Sequence, residues 1–178
     1  MAAFYRSAPT SRCSVSGVEF VNGTTVLKKQ ETPMSQTRTI DTLLAQYSES
    51  HLNPTNELIH FVCVPIIVFT LLGLLWAIHP AVAVAVTLAS LAYYFKLSKP
   101  FAVGMLLMSA LFLALLAALP DRAVLPLSVA IFVLAWIGQF IGHKIEGKKP
   151  SFFDDLRFLL IGPLFVLGFL YRRLKLAY

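Results

Sequence analysis

Charge is what this 178-residue chain most conspicuously lacks. Asp, Glu, Lys and Arg make up 13% of it, whereas a soluble domain carries about a quarter. The deficit is concentrated: residues 58–78, 81–95, 101–119 and 123–142 contain no charged side chain at all. Helices over runs of that length cross, or nearly cross, a hydrocarbon core about 30 Å thick. With 57% hydrophobic residues and a mean hydropathy of +0.73, too little polar sequence remains to coat a soluble core. The expected fold is all-α: an integral membrane helical bundle of about four transmembrane helices.

Cysteine is nearly absent. Cys13 and Cys63 form no CxxC pair, so neither a disulfide framework nor a zinc–thiolate site is expected. Cys63 reads as a small apolar packing residue. Acidic residues are fewer than basic ones, 9 against 15, for a net charge of +6. No strip of basic and aromatic residues accompanies that excess, and no nucleic-acid partner is expected. Basic residues that flank apolar helices act instead as topology signals and contacts to anionic lipid, so the expected partner is the bilayer.

Residues 1–33 lack the continuous apolar core of a signal peptide. Their Ser, Thr and Val show no sustained periodicity, and a disordered extension is expected. Met34 is a candidate start, and residues 34–178 read as a single membrane helical domain. Residues 39–49 place Ile40, Leu43, Leu44 and Tyr47 at helical spacing, the pattern of a short amphipathic helix. Thr39 or Asp41 is a candidate cap for it. It is expected at the membrane interface, which is compatible with packing on the bundle.

Asn56 is expected to cap the first span, with Glu57 in its first turn. The spans are read as 58–78, 81–97, 101–119 and 123–142 or slightly beyond, joined at His79-Pro80, at 98–100 and at 120–122. A polar loop over 143–151 precedes a last apolar segment, 152–171, that contains Pro163. Lys96 and Lys99 after the second span, and Lys144, Lys148 and Lys149 after the fourth, orient those loops to the cytoplasm. A full fifth crossing would put Arg172, Arg173 and Lys175 on the opposite side. A broken or re-entrant final segment, hinged near Pro163, is therefore expected.

Histidine is scarce too, with four in the chain. This orientation puts His51, His60 and His143 at the cytoplasmic face and His79 at the far end of the first span. At 1.5 Å per residue His60 and His79 are about 28 Å apart and cannot share a metal. The other three can converge where spans one and four meet. Neutral imidazoles with a carboxylate and open positions suit non-haem iron, and Glu57, Glu146, Asp154 and Asp155 are the carboxylates nearby. Plainer roles stand beside this one. An interfacial His often only snorkels or hydrogen-bonds, Asn53 and Asn56 suit a turn and a cap, and Gln139 suits an interhelical bond. Asp154 and Asp155 suit the start of a last helix.

Two stretches carry a family resemblance. The first is Tyr47 followed by HLNPTNELIHFVCVP over 51–65. The second is WIGQFIGHKIEGKKPSFFDDL over 136–156, followed by Gly162-Pro163. Together, over about residues 36–175, they resemble the small membrane dioxygenases of 2-hydroxy fatty acids, whose fungal prototype acts in phytosphingosine degradation. The resemblance implies an Fe(II)-dependent reaction with molecular oxygen that shortens a 2-hydroxy long-chain fatty acid by one carbon, an α-oxidation. It implies His51, His60 and His143 as catalytic iron ligands. Asn53, Asn56, Gln139 and Glu146 match motif positions and are candidates for a supporting shell or for substrate contact. The fungal pattern spaces its His and Glu one residue further apart than His143 and Glu146, a departure that weighs against Glu146 as a ligand.

Four histidines are too few for the di-iron desaturases and hydroxylases, which resemble one another in using about eight. The rival class is a non-enzymatic membrane scaffold or transporter subunit, but the chain has no internal repeat and no charge at a span's midpoint. A short chain with tight loops fits a bacterial inner membrane, and the endoplasmic reticulum membrane if the source is eukaryotic. Chain length of the substrate and oligomeric state have no signature in the sequence.

Overall fold

The structure is a computed structural model and describes residues 18–21, 24–27, 38–49, 51–147 and 158–176. Six helices occupy most of that: α1 (Thr39–Ser48), α2 (Pro54–Ile78), α3 (Pro80–Leu97), α4 (Lys99–Ala118), α5 (Asp121–Glu146) and α6 (Gly162–Arg173). Helices α2 to α5 are long and apolar enough to cross a membrane, and only 17% to 28% of each apolar window is buried in the protein. Leu58, Leu107 and Leu134 are each more than 60% exposed, and such faces are solvated only by lipid. The protein is an integral membrane helical bundle.

Residues expected to be disordered include a two-stranded antiparallel hairpin, β1 (Val18–Val21) and β2 (Thr24–Leu27), with Val21 opposite Thr24. The sequence signal passed over there is Asn22-Gly23 between β-branched residues, the strongest short-range hairpin signature.

Span boundaries follow capping chemistry. Helix α2 begins four residues earlier than expected because Asn53, not Asn56, is its cap: the Asn53 side chain accepts from Thr55 N at 2.9 Å. Pro54 then takes the first helical position, where its missing N–H costs nothing. Asn56 is thereby moved into the helix. At the other end of α2, His79 caps α3 by accepting from Ala81 N at 3.1 Å. Helix α5 runs past Gly142 to Glu146 and stops at Gly147, whose φ of 75° is left-handed, a conformation open to glycine. His143 and Glu146 therefore lie on a helix and not in the expected loop.

Helices α2 and α5 pair most extensively, although they are the first and fourth spans. Small residues let them approach. A methyl at Gly73 would run into Ser128 Oγ, and one at Gly138 would lie 2.8 Å from Cys63 Sγ. Small residues at a membrane helix contact serve this purpose generally. Gly73→Leu is expected to cost about 1–3 kcal/mol through overpacking, seen as a lower unfolding midpoint in detergent.

Helix α6 has 12 residues, about 18 Å of rise, too short to span. Just before it, Tyr94 Oη donates to Leu160 O at 3.0 Å. Near its end, Tyr171 Oη donates to Pro100 O at 2.8 Å. Tyr94 and Pro100 flank the α3–α4 connection, so residues 158–176 begin and end at one end of the bundle. Pro163 lies in the first turn of α6; the first part of the final apolar segment, with Asp154 and Asp155, is outside the described residues. The apolar stripe of α1 (Ile40, Leu44, Tyr47) is buried in a core with Tyr94, Phe101, Ile161 and Leu164. That stripe is thus spent on packing.

Candidate functional site

The cap at Asn53 fixes the start of the site. It holds His51 just before α2 and sets Asn56 and His60 one turn apart on one face of it. Facing them on α5 is Gly142. A methyl there would run into Asn56 Oδ1 and lie 3.4 Å from His60 Cε1. The bare backbone thus brings the next residue, His143, against His60.

Three imidazoles gather in consequence. Ring centroids are 4.2 Å apart for His51 and His60, 5.0 Å for His60 and His143, and 6.1 Å for His51 and His143. All three residues are buried. His51 Nδ1 lies 2.7 Å from Tyr47 O, and His60 Nδ1 lies 3.0 Å from Asn56 O. A carbonyl only accepts, so each Nδ1 carries the proton, and in the neutral ring the lone pair is on Nε2. Metal-binding histidines are held in this way.

Imidazoles bound to one cation at about 2.1 Å have centroids about 4.5–6 Å apart for ordinary ligand angles. The His60–His143 spacing of 5.0 Å lies within that range, and those of 4.2 and 6.1 Å lie just outside it on either side. The orientations are edge-to-face, at 80° and 82°. As placed, no group of three or more His, Cys, Asp or Glu among the described residues is set to hold a metal ion. The fit lies in donor type, spacing and tautomer.

Glu146 has a different task. Its Oε1 accepts from Leu52 N at 2.8 Å, and its Oε2 accepts from Asn53 N and from Asn56 Nδ2, both at 2.9 Å. Both oxygens are engaged with the start of α2, where N–H groups lack helical partners and a negative charge is favoured. The carboxylate clasps the end of α5 to the beginning of α2 and so fixes the segment bearing His51.

Tyr47 closes one side. Its ring stacks on His51 at 4.2 Å with 12° between planes, and Phe165 of α6 packs 5.0 Å from Tyr47 and 5.9 Å from His51. Gln139, one turn before His143, is 4% exposed. Its Nε2 has no hydrogen-bond partner among the described residues. It lines a chamber of about 40 Å³ shared with Tyr47, Trp136, Phe158 and Leu159. That is room for about a water molecule, or a polar atom of a ligand.

Residues 37–174 match the family model described as 2-hydroxy-palmitic acid dioxygenase Mpo1-like. This chain belongs to the Mpo1-like family. It is 31% identical over 130 residues to the protein named 2-hydroxy-palmitic acid dioxygenase MPO1 of Saccharomyces cerevisiae, covering 70% of this chain and 75% of that one. No solved structure matches it.

Other polar and charged residues of this Mpo1-like chain stand apart from the cluster or outside the described residues. His79 caps α3 at the opposite end, and Lys144 is exposed. Glu57 is buried in the first turn of α2, with Oε2 lacking a hydrogen-bond partner among the described residues. Lys148 and Lys149 fall outside the described residues, as do Asp154 and Asp155. In the sequence Tyr47 opens the first motif with no role assigned, and Phe165 carries no mark. For Tyr47 a signal exists, since it stands four residues before His51. Phe165 has none, because α6 is brought to the site only by tertiary packing. Tyr47→Ala is expected to lower the unfolding midpoint in detergent, because the His51 ring loses an aromatic contact of about 0.5–1.5 kcal/mol. Tyr47→Phe, which keeps the stacked ring, is expected to lose less.

Proposed function

We propose that this protein is an Fe(II)-dependent dioxygenase that converts a 2-hydroxy long-chain fatty acid and molecular oxygen into the fatty acid one carbon shorter. The reaction balances with carbon dioxide and water as the other products: four electrons leave the two terminal carbons and reduce one O2. The observation carrying this reading is the buried group of His51, His60 and His143, with Nδ1 of the first two engaged by backbone carbonyls. Membership of the Mpo1-like family and the printed name of the yeast relative supply the reaction class.

His51, His60 and His143 are the residues that would hold the ion, through neutral nitrogens suited to it. When bound, iron supplies the redox chemistry by which oxygen reacts with an organic acid. With three protein donors, the ion would keep room for a 2-hydroxy acid held through its carboxylate and hydroxyl oxygens. Glu146 and Asn56 keep the ligand-bearing segments in register. Tyr47 and Phe165 screen His51 from water and hold its ring plane. Gln139 offers an amide donor to a substrate oxygen.

The test uses purified protein in detergent with 2-hydroxypalmitate and Fe(II) under air, against chelated and anaerobic controls. Product one carbon shorter, dependent on both iron and oxygen, is the expected result. Bound iron without product would move the substrate to another class. Absence of both would favour a non-enzymatic scaffold.

A further inference from the structure

A second, larger cavity of about 430 Å³ lies among α2, α3 and α4, within the range of about 300–1,000 Å³ usual for small-molecule sites. Its wall is almost wholly apolar and includes Leu72, Leu75, Leu91 and Met105. Two of its polar side chains are already engaged. Thr87 Oγ1 donates to Ala83 O at 2.8 Å, and Tyr94 Oη donates to Leu160 O at 3.0 Å. The cavity separates two packed cores, one around Phe101 and Leu164 and one around Leu72, Leu116 and Val124. Two of its lining residues, Ile78 and Val86, are 73% and 42% exposed, so it opens outward at that end, and an apolar wall of this kind does not recruit water. Its natural occupant is hydrocarbon.

Position selects which hydrocarbon. Leu159 borders both this cavity and the chamber that Gln139 lines, so the two spaces adjoin at that side chain. On α2 the wall runs from Val68 to Ile78. At 1.5 Å per residue it begins about 12 Å beyond His60 and ends about 27 Å beyond it. A ligand with its head at the imidazoles reaches the cavity only with a long tail.

We propose that this cavity receives the acyl tail of a single-chain lipid acid, led past Leu159 from a polar head held beside Gln139 and the three imidazoles. The cavity makes the site sensitive to chain length: tails too short to pass Leu159 gain nothing from it. The identity of the head rests on the proposed function; the place of the tail does not.

Ser109, on α4, and Ser90, on α3, line the cavity away from the imidazoles. Ser109→Phe and Ser90→Phe are expected to lower turnover of the longest 2-hydroxy acids at least about tenfold, as filling a hydrophobic pocket does, with the shortest substrates unchanged. A chain-length profile identical to the wild type in both variants would overturn the proposal. A second measurement needs no turnover: photolabelling of the wild-type protein in lipid nanodiscs by a 2-hydroxy fatty acid with a diazirine at its tail end. Labels on residues 68–78 and 86–94 that fade in Ser109→Phe are expected. Labels confined to outward residues such as Leu107 and Leu134 would overturn it, leaving a bilayer lipid as the occupant. Cavity labelling without turnover would remove the proposed reaction and keep the tail site; turnover with labels only outside would do the reverse.

Discussion

Replacing His60 by alanine is expected to abolish turnover of 2-hydroxypalmitate, by more than about 100-fold, and to strip the purified protein of iron. His60 is the middle ring of the three, closest to both of the others. It is 2% exposed, so no water-borne group takes its place without rearrangement. Its Nδ1 contact with Asn56 O is also lost, leaving a carbonyl already bonded within α2. The bundle should persist, because the apolar face of α2 that lipid sees is untouched. Insertion and a monodisperse elution profile are the controls. His79→Ala is the companion variant: it loses a helix cap worth about 0.5–2 kcal/mol at the other end of α2 and should keep its turnover. Full activity in His60→Ala, with the product measured by mass spectrometry, would end the assignment of this ring as a ligand.

Glu146→Ala is expected to have the next largest effect. The carboxylate accepts three hydrogen bonds from the start of α2, each of a charge-assisted kind worth about 1.5–3 kcal/mol when sheltered. Two of the donors lie toward the surface and regain water, so the expected net loss is about 2–4 kcal/mol. The chemical consequence is larger than the loss of stability implies. Once the clasp opens, the 51–53 segment is free to drift and His51 with it, and iron affinity should fall about 10–100-fold. Iron titration and thermal unfolding of the same preparation separate the two effects. Unchanged iron affinity in a destabilised Glu146→Ala would make the residue a strut alone. Glu146→Asp, one methylene shorter, should restore little, because both oxygens must reach across two helices.

How much of this was legible beforehand depends on the range of the interactions. The four spans follow from local composition, since charge-free runs of that length have few alternatives to crossing a bilayer. The short final helix was anticipated from charge, because Arg172 and Arg173 argued against a crossing. Helix ends were read less well. Asn53 and Asn56 both have capping side chains, and what decides between them is whether Pro54 opens the helix. Glu146 illustrates a different gap. Its place in the sequence brings it near His143, which invites a ligand role. Its carboxylate is drawn instead to backbone N–H groups more than ninety residues away, and pattern reading does not count backbone donors across a fold.

By itself, then, the sequence determined that this is a membrane bundle, which end of it bears three of the four histidines, and which family it resembles. All three rest on signals readable along the chain: charge-free runs, loop lysines and two motifs. Tertiary structure decided that the first and fourth spans pair through Gly73, Gly138 and Gly142. It also decided that the Glu146 carboxylate clasps the start of α2, that Tyr47 and Phe165 wall the imidazoles, and that an apolar cavity lies beyond Leu159. The reason is physical: a glycine marks only an absence of atoms, and what that absence admits depends on the neighbouring helix. The facing of α2 by α5 is set by packing over the whole bundle.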